Sequence, residues 1–231
     1  MNVHLPSLAI GAGIVAAIIV AFLVYSQVLD KNSPQSIGEQ ESQSQKVFSL
    51  ITDNSSPILG SKDAVITMIE FGDYQCFYCN KFYHATESEI VKNYVDTGKV
   101  KMIFKDFTII GQDSVTAANA AHCAQEQGKF WEYHDALYDN WAGENTGWAS
   151  YKNLPGFAKQ IGGLNEEQFN ECVIKAKYVN MVQESVSNAR DLGLSGTPDF
   201  FIIGPDSAIT KVVGAQPYDV FDEIFKSKLK S

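Results

Sequence analysis

The pattern of apolar and polar positions divides the chain into three parts. The stretch Leu5–Leu29 contains no Lys, Arg, Asp or Glu, and its Leu8–Val24 portion is almost wholly apolar. The stretch Asp30–Lys46 is dominated by Ser, Gln, Asn, Glu and Pro. From there to the C terminus, short apolar runs alternate with amphipathic ones, as in a folded domain.

The N-terminal apolar stretch is long enough to cross a hydrocarbon core of ~30 Å as a helix. A signal peptide, cleaved or retained, is the alternative. It fits less well because no Lys or Arg precedes the stretch, which is also long for a signal peptide, and no clear A-x-A site follows it. We therefore predict a transmembrane anchor over residues 1–29. The polar residues that follow cannot bury enough apolar surface to fold, so residues 30–50 are predicted to be a flexible linker.

The folded part begins with a predicted βαβ unit. Val65–Phe71 is a nearly continuous apolar run rich in β-branched residues, which indicates a buried strand. A break at Gly72–Gln75 is followed by a predicted helix over Cys76–Val95 and a second strand over Val100–Phe104. This order predicts two parallel strands joined by a right-handed crossover.

A long helical region then separates this unit from the end of the chain. Helices are predicted after an Asp113–Ser114 cap, over Phe130–Trp141, after an Asn165 cap and over Tyr178–Leu192, with a loop at Gly143–Gly147.

Two strands, Phe200–Ile203 and Ala208–Val213, and a helix starting at Pro217 close the domain. The element order predicts an α/β, thioredoxin-like fold over residues 51–231, with a helical subdomain inserted at about 108–192 and a transmembrane helix ahead of it.

The candidate chemistry lies at the predicted strand-to-helix junction. Cys76 and Cys79 form a C-x-x-C segment where a helix begins. Free N–H groups and the helix dipole stabilise a thiolate there, lowering the pKa from about 8.5 to roughly 3.5–7.5. We predict Cys76 as the exposed, attacking thiol and Cys79 as the resolving one. Half of a zinc site is the alternative, but His84, His122 and His134 supply no second ligand pair, so no metal site is predicted.

Two further positions are candidates for the same site. Glu70 is the only charged residue in its strand; it either lies at an edge with its carboxylate in water or lies buried beneath the thiols, where it could take the proton of Cys79. Thr197 and Pro198 precede a strand, where a proline is tolerated in trans. A cis peptide would instead leave the Thr197 backbone free to pair with a substrate.

The remaining cysteines, Cys123 and Cys172, fall in two helices of the insertion. They are either buried free thiols or, in an oxidising compartment, a structural disulfide that adds ~2–4 kcal/mol of stability. We favour the disulfide. The net charge of -9 argues against nucleic-acid binding, which requires a basic face.

Three segments, Glu70–Cys79, Gly128–Leu137 and Gly196–Pro198, resemble the DsbA-like thiol oxidoreductases. The resemblance runs in consistent order from about Pro57 to Lys230. It implies a thioredoxin fold with a helical insertion, in an extracytoplasmic enzyme that oxidises paired cysteines of exported proteins.

Carried over by position, the resemblance implies Cys76 as nucleophile, Cys79 as resolving thiol, Glu70 as buried acid and Pro198 as cis-proline. Two positions depart from the common pattern, since Phe77 replaces a proline and Tyr78 replaces a histidine. Because this dipeptide tunes the thiolate, the redox potential stays open.

We therefore predict a single-pass, membrane-anchored thiol:disulfide oxidoreductase with its catalytic domain on the extracytoplasmic side. Its substrates would be reduced or unfolded exported proteins, and a quinone-linked membrane oxidase would recycle it. The only redox group it needs is the Cys76–Cys79 disulfide, with no cofactor. The alternatives are an isomerase or reductase with the same site, or a zinc-binding or chaperone-like module.

Overall fold

The computed structural model describes residues 45–230. The predicted membrane anchor and most of the predicted linker lie outside this range. Among the residues described, no helix is both long and apolar enough to cross a membrane. Residues from Ser49 onward form one compact unit.

A four-stranded sheet with strand order β2-β1-β3-β4 organises the fold. Its strands are β1 (Ile66–Gly72), β2 (Val100–Asp106), β3 (Asp199–Ile203) and β4 (Ile209–Val213). β1 pairs with β2 in parallel, with Ile66 opposite Val100, and β3 is antiparallel to both β1 and β4. The predicted βαβ unit and hairpin are confirmed, and both place their strands in one sheet.

The helix after β1 is not a regular α-helix. This element, α1, runs as α-helix over Phe77–Phe82 and Ser88–Ile90, with π-helical turns at Tyr83–Glu87 and Val91–Val95. Single π-helical turns inside α-helices occur frequently at functional sites because they rotate side chains off the regular face.

Helices cover both faces of the sheet. Met68 and Phe200 point to the face that carries α1 and the C-terminal helix α7 (Tyr218–Lys228). Ile69 and Phe201 point to the opposite face, which packs against the helix just before β3. The alternation follows the two-residue period of a strand, and because both faces are covered the strands are apolar nearly throughout.

The insertion is helical, as the sequence predicts. Between β2 and β3 lie α2 (Gln112–Gln125), α3 (Phe130–Asp139), α4 (Leu154–Ile161), α5 (Glu166–Ile174) and α6 (Val179–Asp191). The Asn165 cap is confirmed, since its side chain accepts a hydrogen bond from the N–H of Gln168.

Two details of the insertion differ from the prediction. α2 begins at Gln112, and the Ser114 side chain bonds Gln75 instead of capping the helix. α4 has no counterpart among the predicted helices. Pro155 lies in the first turn of α4, where no N–H is required of it.

The end of the predicted flexible linker also differs. Residues 45–52 are helical, and Ile51 is fully buried against the sheet face that carries Ile69. The Lys105 ammonium donates hydrogen bonds to the backbone oxygens of Leu50 and Asp53. Apolar burial and these hydrogen bonds offset the conformational entropy that the segment loses on folding. The composition alone suggested that this cost was too large to offset.

Candidate active site

The turn that leads into the C-x-x-C segment is fixed by Asp73. One oxygen of its carboxylate accepts the N–H of Gln75 at 2.8 Å, and the other accepts the N–H groups of Ile109 and Ile110 at 2.8 and 2.9 Å. The carboxylate therefore ties the end of β1 to the segment that follows β2. This arrangement fixes where the backbone enters α1.

Gln75 joins the same turn to the helical insertion. Its side-chain nitrogen donates to the Ser114 hydroxyl at 3.0 Å, and its side-chain oxygen accepts the N–H of Asn145 at 2.8 Å. Its backbone oxygen accepts the indole N–H of Trp141 at 2.9 Å. The residue immediately before Cys76 is thus held by three separate parts of the insertion.

Both cysteines of the C-x-x-C segment are free thiols, and both are largely buried. Cys76 is the residue just before the first turn of α1, with 5 % of its surface exposed, whereas Cys79 has none. The prediction of an exposed Cys76 is therefore wrong in degree, since Cys76 is only the more accessible of the two. The reason is that the Cys76 Sγ lies 3.4 Å from the backbone oxygen of Thr197.

The two thiols differ in acidity. A hydrogen bond from the Cys79 thiol lowers the pKa of Cys76 to about 6, against the opposing effect of burial, and the backbone N–H groups of Tyr78 and Cys79 add to the lowering. Burial raises the pKa of Cys79 well above its ordinary value, with further contributions from Cys76 and Glu70. The site can therefore hold one thiolate at neutral pH, and it lies on Cys76.

Glu70 lies buried beneath the thiols, with 2 % of its surface exposed, and is not an edge residue. Burial raises its pKa well above the ordinary value, and the nearby charges of Glu87 and Cys76 raise it further. Its Oε1 has no hydrogen-bond partner among the described residues. A carboxyl group in this setting is protonated at a pH where an exposed one is ionised.

A second buried acid lies near Glu70. Burial and the charge of Asp135 raise the pKa of Glu87 to about 8, and the π-helical turn carries this side chain inward. Its Oε1 lies 3.8 Å from Nε2 of His134, whose pKa burial lowers to about 3. The structure places His134, for which the sequence indicated no role as a zinc ligand, in the core beside this acid.

The loop before β3 completes the site. The peptide bond between Thr197 and Pro198 is cis, so the trans alternative does not apply. Directly after Cys76 in the chain, the predicted tuning residues Phe77 and Tyr78 are 49 % and 57 % exposed, with their rings 5.3 Å apart. The structure thus brings together all seven positions predicted for the catalytic region.

The other cysteine pair is not part of this site. Cys123 and Cys172 form a disulfide that links α2 to α5 inside the insertion. The structural disulfide, which we favoured from the sequence over two buried free thiols, is therefore confirmed. Within residues 45–230, no group of His, Cys, Asp or Glu side chains is arranged to hold a metal ion.

Several residues of the site were not predicted from the sequence. Asp73 and Gln75 are polar residues in a predicted break, and Trp141 lies at the end of a predicted helix. Glu144 accepts the N–H of Phe77 at 2.9 Å from the predicted loop Gly143–Gly147. Apart from the local contact of Asp73 with Gln75, their contacts are distant in sequence, so no local spacing could indicate them.

Comparison with known proteins places this geometry in a family. A family model described as thioredoxin matches residues 52–219. The chain belongs to the thioredoxin family. Among curated proteins, it is similar to the probable disulfide bond formation protein D of Bacillus anthracis, with 27% identity over 203 residues, covering 87% of this chain and 88% of the relative.

Solved structures agree with the assignment to the thioredoxin family. BdbD from Bacillus subtilis, in its oxidised form, matches with a TM-score of 0.69 and 25% identity over 76% of this chain and 94% of that one. Wolbachia pipientis alpha-DsbA1 matches with a TM-score of 0.66 and 25% identity over 79% of this chain and 94% of that one. The predicted resemblance is confirmed: this thioredoxin-family protein is a DsbA-like dithiol:disulfide oxidoreductase that introduces disulfide bonds.

Proposed function

We propose that the protein oxidises paired cysteines of exported proteins through the Cys76–Cys79 disulfide. A substrate thiolate attacks the Cys76 sulfur, the Cys76–Cys79 bond breaks and Cys79 leaves. The second substrate thiolate then attacks the substrate sulfur of the mixed disulfide and releases Cys76 as a thiolate. Two electrons and two protons pass from the substrate to the protein, which ends as the dithiol.

The observation that carries this proposal is the difference in acidity between the two thiols. Stabilising the thiolate of the reduced form makes the corresponding disulfide a better oxidant. Cys76, with its pKa lowered to about 6, is a good leaving group in the second exchange. Electron flow from substrate to protein is the direction that this arrangement favours.

Glu70 is proposed to exchange a proton with Cys79. When the disulfide opens, Cys79 leaves as a thiolate in a buried setting where the charged form is unfavourable. Glu70 lies close enough for its charge to act on Cys79, and its raised pKa lets it keep its proton to a higher pH than an exposed carboxyl group would. Proton donation by Glu70 would neutralise the leaving thiolate without admitting water.

Thr197 and Pro198 are proposed to bind the substrate backbone. The Thr197 oxygen lies 3.4 Å from the Cys76 sulfur, so a peptide pairing with this loop would bring its own cysteine to the attacking distance. The exposed rings of Phe77 and Tyr78, which directly follow Cys76 in the chain, would offer apolar contact to the substrate.

The cellular setting is also a proposal. The apolar stretch Leu5–Leu29 would anchor the protein in the cell membrane, with the folded domain on the extracytoplasmic side. The Cys123–Cys172 disulfide fits an oxidising compartment. A quinone-linked membrane oxidase would then accept the two electrons and restore the Cys76–Cys79 disulfide.

The test is the oxidation of a reduced, unfolded protein by the pre-oxidised full-length chain, with thiol loss followed over time. Replacing Cys76→Ser should abolish the reaction, and an unchanged rate in this variant would overturn the proposed mechanism. The equilibrium of the disulfide with glutathione decides the direction. A reduction potential near ~-120 mV indicates an oxidant, and one near ~-270 mV would indicate a reductase instead.

A further inference from the structure

A carboxylate from the helical insertion occupies the start of the active-site helix. Glu144 Oε1 lies 2.9 Å from the backbone nitrogen of Phe77, the residue that follows Cys76. Phe77 is the first residue of α1, and Cys76 makes no side-chain hydrogen bond to the helix end. The first free N–H of the helix is therefore satisfied by Glu144.

The position of Glu144 is built into the fold. The neighbouring Asn145 donates its backbone N–H to the Gln75 side chain at 2.8 Å, and Trp141 donates its indole N–H to the Gln75 backbone at 2.9 Å. The Trp141 ring also lies 6.0 Å from the ring of Phe77. The loop that carries Glu144 is thus attached on both sides of the contact.

The charge of Glu144 opposes the thiolate of Cys76. Helix N-termini stabilise an anion through the dipole and the free N–H groups. Here two anions, the Glu144 carboxylate and the Cys76 thiolate, share one helix end, and like charges in proximity disfavour each other. The disulfide form carries no charge on sulfur, so Glu144 disfavours only the reduced form.

We propose that Glu144 is a positioning residue that acts through Cys76 and holds the oxidising power of the Cys76–Cys79 disulfide below the level that the helix N-terminus alone would give. This inference rests on the proposed function of that disulfide. It assigns to the insertion a role in setting the redox potential. It also means that the pKa of Cys76 is influenced from outside the Phe77–Tyr78 dipeptide that lies between the two cysteines.

Other charged groups around Cys76 act from different directions. Cys79 lies on the same helix and Glu70 lies beneath it on β1, while Thr197 presents only a backbone oxygen to the sulfur. Cys79 and Glu70 are buried, whereas Glu144 is exposed. Its effect should therefore be screened by salt, whereas that of the buried Glu70 should not.

The test is Glu144→Gln in the full-length protein, because glutamine keeps a side-chain oxygen for the Phe77 N–H and removes only the charge. The equilibrium between the Cys76–Cys79 disulfide and the dithiol is measured in glutathione buffers at pH 7. We expect the constant to shift toward the dithiol by about two- to fivefold, the usual size of a charge effect at a helix end. The pKa of Cys76, followed by thiolate absorbance, should fall in parallel.

Two controls separate charge from structure. Glu167→Gln removes an exposed carboxylate from the first turn of α5 and should leave the equilibrium unchanged. In ~1 M salt, where the Debye length is about 3 Å, the difference between the wild type and Glu144→Gln should shrink. A purely structural role would not respond to salt in this way.

The outcomes distinguish this inference from the proposed function. A wild-type protein that forms no Cys76–Cys79 disulfide in any glutathione buffer would overturn the proposed function. A normal disulfide with the same equilibrium constant in Glu144→Gln, or an equal shift in Glu167→Gln, would overturn the role of Glu144 alone. A shift toward the disulfide in Glu144→Gln would also overturn it, because the sign would be reversed.

Discussion

The protein holds two pairs of cysteines that differ in their place on their helices. Cys76 precedes the first turn of α1, at the end of the helix where the dipole favours an anion. Cys123 and Cys172 lie in the last turns of α2 and α5, where the dipole disfavours a thiolate. The first pair is present as thiols and the second as a disulfide.

Burial does not distinguish the two pairs. All four cysteines belong to the same apolar cluster, and none has more than 6 % of its surface exposed. What differs is the helix end and the presence of Glu70 beside Cys79. The comparison teaches that backbone position and one buried acid, more than exposure, separate a reactive thiol pair from a structural one.

The largest expected effect comes from removing the resolving thiol. Cys79→Ser cannot form the active disulfide, so oxidation of a reduced peptide should slow by a factor on the order of 100 or more. Thiol loss in the peptide is the measurement, and the matched control is the double variant Cys123→Ser/Cys172→Ser. If that control lost as much activity as Cys79→Ser, the division between a reactive and a structural pair would be wrong.

The next effect concerns stability. The double variant Cys123→Ser/Cys172→Ser should unfold with ~2–4 kcal/mol less free energy, because the disulfide closes a loop of about 50 residues in the unfolded chain. Urea unfolding of both proteins gives the difference. A strongly oxidising disulfide is one whose reduced form is the more stable. If the Cys76–Cys79 disulfide is of this kind, reducing it in the wild type should raise the free energy of unfolding.

The order of elements and the site cysteines were predictable because they depend on local patterns. An apolar run followed by C-x-x-C and a helix indicates the site without any knowledge of the tertiary structure. The disulfide of Cys123 with Cys172 could be favoured but not fixed, since a pairing across 49 residues depends on how α2 and α5 pack.

The residues that the sequence did not reveal act over long distances. Glu144 contacts a residue 67 positions away, and Gln75 contacts Asn145 across 70. The π-helical turn that buries Glu87 has no local signature either, because its sequence fits a regular helix. Such contacts follow from the docking of the insertion onto the sheet, which no local pattern encodes.

A moderate effect is expected from Glu70, the buried acid beside the reactive pair. Glu70→Gln removes the proposed proton exchange with Cys79 and should slow oxidation of a reduced peptide by about tenfold or more. Rapid-mixing measurements of thiol loss give the rate. An unchanged rate would show that Cys79 exchanges its proton with another group.

The same variant should also differ from the wild type in how its unfolding free energy depends on pH. The folded-state pKa of Glu70 is raised, so above the unfolded value of about 4.3 the unfolded chain releases a proton that the folded one retains. Stability is therefore lost as pH rises through this window, by ~1.36 kcal/mol for each unit of pKa difference. The difference in unfolding free energy between Glu70→Gln and the wild type should therefore change between about pH 4 and about pH 8. Over that range it should shift in favour of Glu70→Gln, which has no carboxyl group to ionise. Parallel pH profiles of unfolding free energy would contradict the raised pKa.

The smallest effect is the most direct test of the helix ends. In the reduced wild type, Cys76 should be alkylated by iodoacetamide with half its maximal rate at a pH of about 6. In Cys123→Ser the freed Cys172 lies near the C-terminal end of α5, with its sulfur 3.5 Å from a Glu126 carboxylate oxygen. Because both the dipole and this carboxylate disfavour a thiolate, Cys172 should react severalfold more slowly than Cys76 at pH 7, although the two are similarly buried. Mass spectrometry of the modified peptides gives both rates, and equal rates would mean that the ends of the helices do not set the difference between the pairs.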